Sequence, residues 1–595
     1  MSQAQSAPSA ATATTPTTAS TPPDGYRFAA QLAEVEQSGC KVLAIDGRTV
    51  ALFAADGQVH AIDNRCPHMG FPLDRGTVQD GILTCHWHHA RFDLSTGGAF
   101  DGFADDVDRF PACVVDGAVW VDVSRHGDRR AHMRSRLREG LEQDIPLVLA
   151  KAAIHLLEAG DDPVDPFACA LEFGVRNRSA GWGQGLTMLT CFQDLLPALD
   201  PADRPWALYH GLSAVARDTA GSAPRFTLAP LPGSTQSVAT YRRWFRRFVE
   251  VRDEEGAERC LVSALRSGAP PSAVADLLFA AATDHRYLQI GHVLDFSNKA
   301  MEALDLVGWR LAETVLPSLL RGLTRASRQE ESSAWRHPVD LVAILDEAFE
   351  QLPAALAAGE SRRGQWRAAP DLTERLLGDD PAAIAAALLA ALSEGAAEEQ
   401  LGGEVAYAAS RRMAQFGTAN EFGDWDTVLH TFTFANAVQQ GLRRAPSAEL
   451  LRGVFDAAMS VYLDRFLNTP PARLPTAAGG DPAAMLTDLP PLLDRQQQVD
   501  AAAQLVASYL GADGDPDRLI AVLGACLLRE DRDFHTIQTV EAALRQFAAH
   551  RGKPSGTHIL IAAARYLAAH APTVRAQDQT FRIALRLHRG EALWA

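Results

Sequence analysis

The segment CPHMGFPLDRGTVQDGILTCHWH, residues 66–88, places two cysteines and three histidines within 23 residues. Its order is Cys66-Pro67-His68, sixteen residues, then Cys85-His86-Trp87-His88, which is C-x-H-x16-C-x-x-H. Two thiolates and two imidazoles suit zinc or a mixed-ligand [2Fe–2S] cluster. Zinc fingers pair cysteine with cysteine and histidine with histidine and lead into a helix. Here each half supplies one of each, so one iron can take both sulfurs and a second iron both imidazoles.

The flanking sequence is strand-like. KVLAIDGRTVALFAADGQVHAID, residues 41–63, reads as three short strands with alternating apolar residues, separated by Asp-Gly turns. GILTCHWHHARFDLSTGGAF and ACVVDGAVWVDV continue the pattern to Val123. Both halves of the ligand set are expected at hairpin tips, in an all-β domain of about 100 residues.

At these residues the chain resembles a Rieske domain, over roughly a sixth of its length. The resemblance implies a [2Fe–2S] cluster held by Cys66, His68, Cys85 and His88. His86 is then expected to point away from the cluster or to support it, and His89 to be a surface or supporting residue. High-potential members of the family bridge their two cluster loops with an extra cysteine pair. Here those positions hold Met69-Gly70-Phe71 and His86. The resemblance is therefore to Rieske ferredoxins and oxygenase Rieske domains, which pass electrons at low potential to an oxygen-activating metal.

The chain is 595 residues long, with a net charge of −17. The pI is near 5.5, which argues against nucleic acid as a partner. No apolar run of ~18 residues signals a membrane span. The eight cysteines are scattered and form no disulfide framework. Residues 1–24 are Ala, Ser, Thr, Pro and Gln with almost no charge. They are expected to be a disordered tail, not a leader, which makes the location cytoplasmic by default. The expected order is a tail at 1–24, the Rieske domain at 25–124, an Arg-rich linker at 125–140 and a mainly α-helical domain at 141–595. The fold class is thus a small all-β domain followed by a large helical one.

What the cluster would feed decides the function. A ring-hydroxylating oxygenase holds iron through a 2-His-1-carboxylate triad with a local signature of roughly D-x2-H-x4-H. That signature is missing; TDHRYLQIGH has Asp284, His285 and His292 at other spacings. A helical oxygenase domain with its own non-haem iron fits better. His285, His292 and Lys299 are spaced by seven and share a stripe with Asp295 if the helix is continuous. Lys299 is one of only four lysines among 56 basic residues. Such a stripe in an apolar helix is costly unless its groups find partners. His155, His210, His337, His430 and His535 also lie in apolar helical surroundings, with Asp426 four residues before His430. The candidates for a second iron are His155, His210, His285, His292, Lys299 and His430. A lone histidine on such a face is more often a core or cap residue than a ligand.

The helical part is also similar, without a sharp motif, to the questin oxidase-like family of helical oxidoreductases, some of which hold iron with histidines and a modified lysine. No Gly-rich phosphate loop follows a strand, so an external reductase is the expected electron donor. A small organic substrate, aromatic in the resemblance, and O2 complete the expected reaction. The other reading is an electron carrier or redox sensor fused to a helical docking scaffold.

Overall fold

The computed structural model describes residues 21–124, 128–233, 236–591 and 593. The tail expected over 1–24 falls outside them except for its last four residues. The chain divides into two compact units.

The first unit comprises residues up to 132 together with 585–595. Its described residues form ten strands: β1 (Arg27–Gln31), β2 (Cys40–Ile45), β3 (Arg48–Ala55), β4 (Gln58–Asp63), β5 (Thr77–Gln79), β6 (Ile82–Thr84), β7 (Arg91–Asp93), β8 (Arg109–Phe110), β9 (Ala112–Val115) and β10 (Ala118–Val121). They form three antiparallel sheets of order β1-β10-β9, β2-β3-β4-β8 and β5-β6-β7. The Asp-Gly pairs at 46–47, 56–57, 80–81 and 116–117 all have positive φ at both residues. That is the type I′ geometry whose twist matches antiparallel strands. β3 is buried on both faces. Val50 and Leu52 join the core formed with Val119 and Val121, while Ala51 and Phe53 join the core around Cys66, Cys85 and Phe92. The two-residue strand period thus ties the sheet to the ligand loops.

Two boundaries differ from the sequence expectation. Helix begins at Arg129 and runs to Gln143, so most of the expected linker at 125–140 is regular structure. The β-unit is also discontinuous in sequence, because residues 585–595 belong to it: Arg65 Nη2 donates to the Leu587 carbonyl at 3.3 Å.

The second unit, residues 133–584, contains no strand among the described residues. Its central helix, Phe422–Arg444, packs against His292–Val307, Glu398–Met413, Ala448–Asp464 and Phe534–His550. Nearly every residue from Trp425 to Leu442 is buried, so this helix is enclosed by its neighbours. The Pro- and Gly-rich stretches at 220–237 and 468–481 lack regular structure where they are described. No helix among the described residues is long and apolar enough to cross a membrane.

At Gly57 φ is +73° and an added Cβ would meet nothing within 4 Å. Any cost of a side chain there is therefore conformational. Gly57→Val should destabilise the protein by about 1–2 kcal/mol, and Gly57→Asn by clearly less, measured by calorimetry of the full chain.

Candidate functional site

In the β-unit, residues 66–71 and 85–90 adopt the same turn. Cys66 N–H donates to the Phe71 carbonyl and Cys85 N–H to the Ala90 carbonyl, both at 2.8 Å. Gly70 N–H returns to the Cys66 carbonyl at 2.7 Å and His89 N–H to the Cys85 carbonyl at 3.0 Å. Each turn closes on a left-handed residue, Gly70 (φ +79°) and His89 (φ +61°). His89 therefore has a backbone role.

Cys66 and Cys85 are buried, and their thiols face each other in hydrogen-bond contact. That contact, then burial, raises Cys66; the same contact lowers Cys85 to about 6. The N–H groups of His68 and Met69 favour charge on the Cys66 sulfur, and those of Trp87 and His88 on the Cys85 sulfur. His68 is half-buried and His88 exposed. Their ring centroids lie 4.8 Å apart, with Phe103 against His68 and Trp87 against His88. A sulfur pair inside and an imidazole pair toward the surface is the donor division that a [2Fe–2S] cluster with two cysteines and two histidines needs. His86 is exposed, with Nε2 3.3 Å from Thr77 Oγ1. All eight cysteines are free thiols.

Residues 26–111 match the family model of the Rieske [2Fe-2S] domain. The 3-phenylpropionate/cinnamic acid dioxygenase ferredoxin subunit of Photorhabdus laumondii is 36% identical over 77 residues, 13% of this chain and 73% of that one. The chain belongs to the Rieske [2Fe–2S] family. The Rieske domain is also 34% identical over 97 residues to human Apoptosis-inducing factor 3, covering 16% of this chain and 14% of that protein's length. Among solved structures, a Sphingomonas yanoikuyae B1 ferredoxin is 26% identical, over 17% of this chain and 99% of its own, with a TM-score of 0.16.

In the helical unit a second group of donors converges. His292 opens the helix His292–Val307, His430 lies inside Phe422–Arg444, and His535 sits in the first turn of Phe534–His550. One ligand nitrogen from each lies within 4.8 Å of the others. His292 Nδ1 lies 3.1 Å from Asp295 Oδ2. His430 Nδ1 donates to the Asp426 carbonyl at 2.5 Å. His535 Nδ1 lies 3.6 Å from Asp426 Oδ1 and 3.7 Å from Asp533 Oδ2. With Nδ1 turned toward oxygen on all three rings, the Nε2 atoms carry the lone pairs. Yet His430 Nε2 and His292 Nε2 are 3.0 Å apart, and buried His535 Nε2 has no hydrogen-bond partner. Facing lone pairs repel unless a proton or a metal ion lies between them. Burial, then His292 and His535, push His430 down to about 3, which disfavours the proton. Nitrogens 3.0 Å apart both reach one ion at the usual ~2.0–2.1 Å metal–imidazole distance. The residues fit a three-histidine metal site; the nearby carboxylates lie on the Nδ1 sides.

The other candidates are elsewhere. Between His285 and His292 the chain breaks helix, with left-handed backbone at Tyr287, Gln289, Ile290 and Gly291. A Cβ on Gly291 would lie 2.8 Å from Phe434 Cβ, so close packing demands glycine there. The expected continuous stripe from His285 to Lys299 therefore does not exist. His285 hydrogen-bonds Glu330 through Nδ1 at 2.6 Å and Glu250 through Nε2 at 2.5 Å. Both nitrogens are committed; burial opposes the proton, but the two carboxylates outweigh it and raise the pKa.

Lys299 Nζ contacts Glu541 at 2.7 Å, Glu302 at 2.8 Å and Asp194 at 3.3 Å. Arg545 joins the same three carboxylates. Lys299 is thus an ion-pair partner, away from the three histidines. His210 is a core residue among Phe192, Trp206 and Tyr209, bonded through Nε2 to the Leu528 carbonyl at 2.9 Å. His155 stays in Pro146–Glu158, outside the cluster, and His337 is exposed. His535 is the member the six-residue candidate set lacks. Its signal is DFHT, where the Asp533 side chain caps the helix by accepting from Thr536 N–H.

Two outcomes follow. Lys299→Met leaves three carboxylates, two of them buried, short of a cation and should cost about 3–5 kcal/mol, while metal content per folded chain stays unchanged. Burial lowers His210 from 6.5 to about 4. The unfolded chain then binds a proton that the folded one refuses. Stability is full above pH 6.5 and falls as the pH drops toward 4, by on the order of 3 kcal/mol. His210→Phe should flatten that slope in denaturant titrations.

Proposed function

We propose that the chain is a Rieske-type oxidoreductase whose helical unit is a non-haem iron oxygenase. Cys66, His68, Cys85 and His88 hold a [2Fe–2S] cluster, and His292, His430 and His535 hold a single iron. The cluster supplies one-electron transfer and the iron O2 activation. The carrying observation is the trio of Nε2 atoms with Nδ1 turned to oxygen, two of them 3.0 Å apart. Among the protein groups, Asp295 and Asp426 fix the ring orientations, and Phe296 and Phe534 pack on His292 and exclude water. The dioxygenase ferredoxin relative supports an aromatic substrate. An external reductase supplies electrons in a cytoplasmic setting. The second reading, an electron carrier or redox sensor on a helical scaffold, is favoured by that same relative being a ferredoxin subunit.

Iron and acid-labile sulfide per chain, on protein purified without oxygen, separate the readings. Three irons with two sulfides are expected. His430→Ala and His535→Ala should each remove about one iron and leave sulfide unchanged. Two irons with two sulfides in the unaltered protein, not rising on anaerobic incubation with ferrous iron, would leave only the carrier reading.

A further inference from the structure

A cleft of about 560 Å³ opens where four helix ends meet. These are the starts of Phe422–Arg444, Val499–Gly511 and Phe534–His550 and the end of Pro554–Ala569. Phe422, Trp425, Gln496, Arg532, Asp533 and His570 are among its lining residues.

Arg532 is the anomaly. It is only 6% exposed. Nη1 donates to the His570 carbonyl, but Nε and Nη2 have no hydrogen-bond partner. No carboxylate among the described residues forms an ion pair with it, because the nearby ones are engaged elsewhere. Asp531 accepts from the N–H groups of Ala576 and Gln577. Asp533 accepts from the N–H and hydroxyl of Thr536. Glu530 accepts from Thr573 and Arg575. Glu530 and Asp533 offset its charge only from beyond ion-pair distance, so the buried guanidinium keeps two donors without an acceptor. The helix starting at Val499 adds to the deficit, since Gln498 provides no side-chain cap for its first N–H groups.

Phe422, Trp425 and His570 form an aromatic patch on a wall that is otherwise polar or small, with Asp531 and Asp533 also lining it. Phe422 is 66% exposed, and its ring meets His570 edge-on at 5.5 Å. Trp425 meets the same imidazole at 6.3 Å. We propose that this cleft binds a small aromatic carboxylate, with the carboxylate on Arg532 and the ring against Phe422, Trp425 and His570. The site stands independently of the metal reading.

Calorimetric titration of the full-length protein with benzoate, benzamide and inorganic phosphate tests it. Benzoate should bind at least tenfold more tightly than its neutral isostere benzamide, and more tightly than phosphate. Arg532→Gln should reduce benzoate to the benzamide level. Gln496→Glu, an exposed change that leaves the core intact, should weaken benzoate severalfold and spare benzamide. Phe422→Ala should weaken both. Equal binding of benzoate and benzamide, no detectable benzoate binding, or a Gln496→Glu variant that binds benzoate unchanged would overturn the charge argument. Phosphate binding as tightly as benzoate would overturn the aromatic one.

Discussion

Two imidazole nitrogens with their lone pairs turned toward each other cannot rest 3.0 Å apart in a buried site unless something positive lies between them. That constraint organises the helical unit. Each ring is fixed from behind: His292 by Asp295 one turn along its own helix, His430 by the Asp426 carbonyl, and His535 beside Asp426 and Asp533. Asp426 thus serves two rings from different helices. The left-handed run before His292 starts its helix at the depth where the ring meets His430.

The same helix also shows a second way of burying polar groups. Asp295, Asn298, Lys299 and Glu302 are all buried. Two turns beyond His292, the Lys299 ammonium sits among three carboxylates, and Arg545 adds the second cation. One helix therefore carries a candidate metal centre at its start and an ion-pair network at its middle. Desolvation sets the same demand at both places, and the answer differs with the chemistry of the side chains.

How much the sequence revealed depends on the range of the interactions. In the Rieske domain everything decisive is local. Four Asp-Gly turns set the hairpins, and each ligand loop closes within six residues. The fold could be read there, and so could the four residues that the two loops bring together. In the helical unit, His292 and His430 stand out in sequence, but they are 138 residues apart, and nothing local says that they meet. Seven-residue spacing suggested a stripe that Gln289 and Ile290 break with positive φ. Lys299 looked like a ligand because its partners Asp194 and Glu541 come from other helices. His535 was one of several histidines in apolar helical surroundings, and nothing local set it apart from His155 or His337.

The return of residues 585–595 to the β-unit has a consequence for biosynthesis. The Rieske strands leave the ribosome before the helical unit, yet the Nη2 of Arg65, next to Cys66, donates to the carbonyl of Leu587. During translation that contact beside the first ligand loop cannot form until residue 587 has been made. Domains generally fold in order of synthesis; this one can form its sheets early, but it completes its packing only after the helical unit has been made.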